Sequence, residues 1–201
     1  RASIGNAPGS MTTISDDAVL ESDGDTALTL YLYMAGSIRM TGGTIISKGS
    51  PAESDYVVAL SGSASEGSPV FEMTGGSIIS ENKACPLELR ETVNGDYVIS
   101  GDAKIVGENS SAINILGSKS VENSNTLTIK DDAQISGSEY ALEIEDKKHI
   151  PTILIQGGGF KCGDEYLPIS DTYFATYPNV GEDGIPAQVL NTTRDADGFY
   201  R

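Results

Sequence analysis

Three aspartates offer the most specific chemistry that can be read from this sequence. Asp102 and Asp132 fill the same position in two consecutive copies of an internal repeat, and Asp131 stands beside Asp132. If the copies stack as successive coils, the carboxylates come within about 5 Å of each other. That is the separation at which one carboxyl group attacks a sugar while the other acts as acid and then base. The same oxygens could hold a Ca²⁺ ion. A plainer role competes with both: Asp suits tight turns, and Asp16-Asp17 holds the equivalent place in the first copy. The turn role is the expected one.

Other reactive side chains form no constellation. His149, the only histidine, sits in the polar run Asp146-Lys147-Lys148-His149 and is expected in solvent. Arg39 and Arg90 are isolated, whereas a polysaccharide lyase needs its base beside Ca²⁺ ligands. Catalysis therefore has no positive signature. The nine tyrosines are a better binding resource, because a phenol ring can stack on a sugar face while its hydroxyl hydrogen-bonds. Tyr31 and Tyr33 alternate on one strand face, and Tyr56 lies in the longest insertion, where solenoids tend to carry binding loops. Packing is the competing role for these residues, as it is for the cluster Tyr166, Tyr173, Phe174 and Tyr177. Cys85 and Cys162 fall three coils apart, a rise of about 14 Å, beyond the reach of a disulfide. Two unbridged, mostly buried thiols are expected. Asn191-Thr192-Thr193 matches a glycosylation acceptor, a three-residue pattern that carries no weight by itself.

The elements that would position these residues come from the repeat itself. Six segments share one form: an apolar residue, a spacer, a pair drawn from Gly and Asp, a small residue, a spacer, then an apolar residue. The pairs begin at positions 16, 42, 75, 101, 131 and 157, so the spacings are 26, 33, 26, 30 and 26. Three equal spacings and two longer ones fit one coil length with loop insertions. A second strand of the form small-apolar-x-apolar follows: Ala27-Leu28-Thr29-Leu30, Pro86-Leu87-Glu88-Leu89, Ala112-Ile113-Asn114-Ile115 and Ala141-Leu142-Glu143-Ile144. In the longest coil it is Val58-Ala59-Leu60. A third strand leads into each pair, as in Val70-Phe71-Glu72-Met73.

One coil alone has nothing to bury its inward side chains against; stacked coils make parallel sheets and continuous apolar columns. The first column is expected to be Ile14, Met40, Met73, Ile99, Ile129 and Ile155. The second is expected to be Leu20, Ile46, Ile79, Ile105 and Ile135. The fold class is therefore all-β, a right-handed parallel β-helix of about six coils over residues 1–162, handedness following the general rule for parallel crossovers. Residues 163–201 break the pattern with Pro168, Pro178 and Pro186. They are expected to form a C-terminal cap over the open end, with short strands near Ala187-Gln188-Val189-Leu190 and a turn at Asp197-Gly198.

Composition agrees. Gly is abundant, Trp is absent, and the net charge is -16 with a pI near 4.2. With 13 Lys and Arg against 29 Asp and Glu, nucleic acid is not an expected partner, nor is an anionic membrane surface. No apolar run reaches the ~20 residues that span a bilayer, so membrane insertion is not expected. A start at Arg1 suggests a mature product or a piece of a larger multidomain chain.

The Thr-Gly-Gly-(Thr/Ser)-Ile-Ile-Ser units at 41–47 and 74–80, the segment Ile155-Gln156-Gly157-Gly158-Gly159-Phe160 and the closing Asp197-Gly198-Phe199-Tyr200 resemble large repetitive surface proteins of Gram-positive gut bacteria. The resemblance covers nearly the whole chain. It implies a β-helix ending in a Tyr-bearing tail, secreted or at the cell surface, acting as stalk or adhesin. A glycan or a host or cell-surface protein is then the expected partner, and no cofactor is required beyond a possible Ca²⁺. The alternative is a carbohydrate-active hydrolase or lyase of the same fold. Pectin-degrading enzymes share the coil pattern, but the Gly-His-Gly and Arg-x-Lys segments of polygalacturonases are missing.

Overall fold

Alternation of apolar and polar residues in runs of three to five, broken by Gly and Asp, dictates short strands that each bury one face. The computed structural model describes residues 9–24, 30–32 (backbone only), 36–50, 56–60, 70–90, 95–116, 126–145, 151–165 and 195–200. Its first coil supplies β1 (Met11–Ile14), β2 (Val19–Ser22) and β3 (Leu30–Leu32), and its second β4 (Ser37–Ser47) and β5 (Tyr56–Leu60). The third gives β6 (Val70–Ser80) and β7 (Cys85–Leu89), and the fourth β8 (Asp96–Ile99), β9 (Lys104–Gly107) and β10 (Ile113–Ile115). The fifth gives β11 (Thr126–Gly137) and β12 (Leu142–Ile144), and the last β13 (Thr152–Lys161). No helix occurs among the described residues, so none there could cross a membrane.

All pairings between these strands are parallel. One sheet runs β1-β4-β6-β8-β11-β13, with β2 and β9 on its second limb, and a separate five-stranded sheet runs β3-β5-β7-β10-β12. The chain is thus an all-β solenoid, a stacked parallel β-helix. Complete coils number slightly fewer than the six expected, because the last coil has no strand in the second sheet among the described residues.

The first expected column stands residue for residue. Ile14, Met40, Met73, Ile99, Ile129 and Ile155 are consecutive partners and all are buried. Beside it runs a second buried column, Ile38-Phe71-Tyr97-Leu127-Ile153, in which Tyr97, Phe71 and Ile38 are among the largest fully buried side chains.

The other expected column needs correction. It is Leu20, Ile45, Ile78, Ile105, Ile135 and Phe160, so Ile45 and Ile78 replace Ile46 and Ile79. The reason lies in the corners. At Asp16, Gly101 and Asp131 the first residue of the pair takes positive φ (54°, 61° and 59°), and an alanine follows two positions later, buried at Ala103 and Ala133 and exposed at Ala18 on the end coil. At the Gly-Gly corners the second glycine does so instead, with φ of 76° at Gly43 and 81° at Gly76. These glycines lie where the neighbouring coil has its alanine or glycine: a Cβ on Gly43 would meet the Ala18 carbonyl oxygen at 2.7 Å. The Gly-Gly corner therefore spends one residue fewer before its inward isoleucine, and the ladder between β4 and β6 carries register shifts around Thr41.

A second correction concerns the first coil. Leu30 is partnered with Val58, which is partnered with Leu87, so Leu30 rather than Leu28 stands on the rung of Leu87. A shift of two residues keeps the same inward parity, which is why alternation alone does not choose between the two registers.

Candidate functional site

The second sheet buries Val58, Leu60, Leu87, Leu89, Ile113, Ile115, Leu142 and Ile144 inward. The residues between them, Ala59, Glu88, Asn114 and Glu143, are successive partners in the ladder and share its outer face. Adjacent rungs lie about 4.8 Å apart, so the Asn114 amide sits directly between two carboxylates. Glu145 follows Glu143 two residues on and therefore faces the same way.

The wall beside this face is built by the loops that carry the chain from the first sheet to the second. Stacked polar contacts hold them together. Asn82 donates from Nδ2 to Ser47 Oγ at 2.9 Å and accepts at Oδ1 from the Ala84 N–H. Asn109 Nδ2 donates to the Glu81 carbonyl at 3.0 Å, and Ser110 Oγ to the Ala84 carbonyl at 2.9 Å. Between wall and sheet lies an open groove of about 340 Å³. Its floor is Cys85, Asn114, Glu143 and Glu145; its wall is Lys83, Asn109, Ser110, Ser111 and Glu139.

The groove is electrostatically tense. Burial pushes the Glu143 carboxyl above its ordinary value, a hydrogen bond from Ser111 opposes this, and the charges of Glu139 and Glu145 add to the rise. Glu88, only 6 % exposed, is also raised by burial. The hydrogen bond and charge of Arg90 pull it back, while Glu145 pushes it up. Burial likewise pushes the Cys85 thiol up, with Glu88 adding to the effect, so Cys85 is not a thiolate nucleophile. Asn114 Nδ2 donates to Glu145 Oε1 at 2.6 Å. Its Oδ1 is buried and accepts no hydrogen bond. A carboxylate only accepts, so the amide cannot be turned over without losing the Glu145 bond. An acceptor-rich groove of this kind can receive a ligand that supplies O–H or N–H donors.

The residues singled out from the sequence lie elsewhere. Asp102, Asp131 and Asp132 are exposed at the corners of the first sheet, on coils four and five. Asp131 accepts a hydrogen bond at Oδ2 from the Gly101 N–H at 3.3 Å, linking one corner to the next. No group of three or more His, Cys, Asp or Glu able to hold a metal occurs among the described residues. Tyr31 is partnered with Ala59 in the ladder, which places it at the register position of the groove floor; its side chain, and all of Tyr33, lie outside the described residues. Tyr56 is half-buried, with the Arg90 guanidinium 4.3 Å from its ring centroid and an ion pair from Arg90 to Glu88 beyond. Arg39 pairs with Glu72 at 2.7 Å on the exposed face. Cys85 and Cys162 are thiols. His149, the aromatic cluster from Tyr166 to Tyr177, Ala187–Leu190 and Asn191 lie outside the described residues. Of the tail, Tyr200 forms an antiparallel bridge with Phe160 and packs against the core.

Sequence reasoning did not single out Lys83, Asn114, Glu139, Glu143 or Glu145. A signal was present: in Leu87-Glu88-Leu89, Ile113-Asn114-Ile115 and Leu142-Glu143-Ile144 the same repeat position carries a polar residue capable of accepting hydrogen bonds. No family model, curated protein or solved structure matches this chain.

Proposed function

We propose that this chain is a non-catalytic interaction module of a secreted or cell-surface protein, a rigid acidic β-helix that binds glycan in the groove on the outer face of its second sheet. The observation that supports this most is the groove itself. It is an open cleft lined by amide, hydroxyl and carboxylate oxygens, formed where two coil loops stand above a regular sheet. Glycans present many hydroxyl donors, which such acceptors receive well. The motifs at 41–47, 74–80 and 155–160 support a surface location through the resemblance they carry. A host or cell-surface protein bound at the same face, or a stalk role without ligand, are the competing forms of this reading.

A second reading, a polysaccharide hydrolase, is favoured by one feature. Burial raises the Glu143 carboxyl toward the protonated form a general acid needs, and Glu145 stands two residues on, held by the Asn114 N–H. Under that reading Glu143→Gln abolishes release of reducing sugar; under the binding reading no polysaccharide is cleaved at all.

Affinity electrophoresis through gels containing plant polysaccharides, mucin glycans or bacterial wall polymers, with and without Ca²⁺, tests the proposal. Retardation by one polymer class, independent of Ca²⁺, is the expected result. Retardation only with Ca²⁺ would move the site to Asp102, Asp131 and Asp132. Unchanged mobility in every gel would contradict glycan binding and leave the stalk.

A further inference from the structure

We propose that a second copy of this chain docks on the outer face of the first sheet's second limb, back to back and running the opposite way. This contact does not depend on what the groove binds. The corrected register leaves one apolar column facing outward: Ile46, Ile79 and Val106 are successive ladder partners. Their neighbours Ile45, Ile78 and Ile105 turn inward and fill the core. Single outward apolar side chains are ordinary on a protein surface, but three on consecutive rungs make a stripe. Ile46 is 8 % exposed, and Ile79 and Val106 are half-buried. Val19, one column aside on the first coil, is 64 % exposed. Thr44 and Ser77 border the stripe on that side.

Charge selects the occupant. On the other side of the stripe stand Lys48, Glu81 and Glu108, all exposed and two residues beyond Ile46, Ile79 and Val106, so they share the outward face. They continue the ladder: the Glu81 N–H donates to the Ser47 carbonyl at 3.0 Å and the Glu108 N–H to the Ser80 carbonyl at 2.9 Å. A two-fold axis lying along the strand at Ile79 exchanges the coils on either side of it. Ile46 then meets Val106 of the second copy, and Lys48 meets its Glu108, each contact occurring twice. Lys48 pairs with Glu21 at 2.8 Å in its own chain and keeps 39 % of its side chain exposed, so a second carboxylate can reach it. Of the three charged residues in that column, Glu81 alone meets its like, at the axis. Copies running the same way would instead set Glu21 against Glu21. Contact through the first coil is opposed by Asp16, Asp17, Glu21 and Asp23, because residues 9–24 hold no Lys or Arg. At the far end the Phe160 backbone is taken by Tyr200. Five rungs at ~4.8 Å and five residues at ~3.3 Å give a face of roughly 400 Å² per copy. That area lies at the low end of specific contacts, so a dissociation constant of about 10–100 μM is expected.

The test is sedimentation equilibrium of the full chain from about 5 μM to about 1 mM, a range that brackets the expected constant. A monomer–dimer equilibrium is the expected result. Ile79→Glu changes an outward position, leaves the core intact and should abolish the dimer. Lys48→Glu should weaken it at least roughly fivefold, the worth of two exposed charge pairs. Adding Glu108→Lys to that variant should restore it, because the swap recreates the pair across the axis. Glu81→Gln should tighten it by removing the repulsion there. Thermal melts of each variant that match the parent separate loss of contact from loss of fold. A chain still monomeric at the highest concentration would overturn the proposal, and so would a dimer that Ile79→Glu leaves intact. A charge swap that fails to restore association would overturn the opposed arrangement. Growth past the dimer would overturn it too, because a two-fold contact closes on itself.

Discussion

Asn114 shows how one side chain sets the character of a surface. It stands in the ladder between Glu88 and Glu143, keeping two buried-side carboxylates two rungs apart, and its N–H holds Glu145. Asn114→Asp should place a third carboxylate in that column and lose the donor to Glu145. Urea denaturation should then show a loss of about 1–3 kcal/mol at pH 7, recovered as the pH is lowered. Glu143→Gln should act in the opposite sense. Its folded carboxyl value is raised, so the folded state takes up its proton before the unfolded chain does. Stability contributed by this group therefore falls as pH rises from the ordinary carboxyl value through the folded one. The variant should melt higher than the parent at pH 7, and the gain should vanish below about pH 4. A lower melting point at pH 7 would contradict the burial argument. None of this was legible from the sequence as a site, because a charged residue between two apolar ones in a strand reads as an ordinary solvated face. Only the loop wall, formed by residues two to four positions before each strand, turns that face into a groove. The corner aspartates were legible for a physical reason of their own: Asp tolerates the left-handed backbone there, as Asp16 and Asp131 show.

At the scale of the element, the corner decides the register. Ile45-Ile46 and Ile78-Ile79 are doublets, so either member could face inward by composition, and only the backbone geometry of the Gly-Gly pair selects the first. At Ile135, a single apolar residue after the corner, and at Ile105, the first of the pair Ile105-Val106, the expected column was right. Gly76 carries the argument to a test. Its φ is 81°, and an added Cβ would meet the Gly42 carbonyl oxygen at 2.5 Å. Gly76→Ala should cost about 1–3 kcal/mol in chemical denaturation. A neutral result would mean that the corner readily takes the form, one residue longer, seen at Gly101-Asp102. Ile99→Ala, which empties one rung of the unbroken first column, should cost about 2–5 kcal/mol.

The whole molecule is a stack, and a stack distributes stability unevenly. Inner coils are held on both sides, whereas β1 has one described neighbour and leaves Met11 47 % exposed beside the 64 % exposed Val19 of β2. At the other end β13 pairs with β11, and the Phe160 backbone exchanges hydrogen bonds of 2.9 and 2.8 Å with Tyr200. Amide hydrogen exchange should therefore be slowest at Met73, Ile99 and Ile129 and fastest along Met11–Ile14. This regular frame gives one outer face its groove and another its row of corner acids, and the proposed ligand site is the first. The most direct test repeats the polysaccharide gels with two proteins side by side. One carries Glu143→Gln with Asn114→Leu; the other carries Asp102→Asn, Asp131→Asn and Asp132→Asn. Loss of retardation in the groove variant alone is the predicted result. Loss in the corner variant, with the groove variant still retarded, would contradict it.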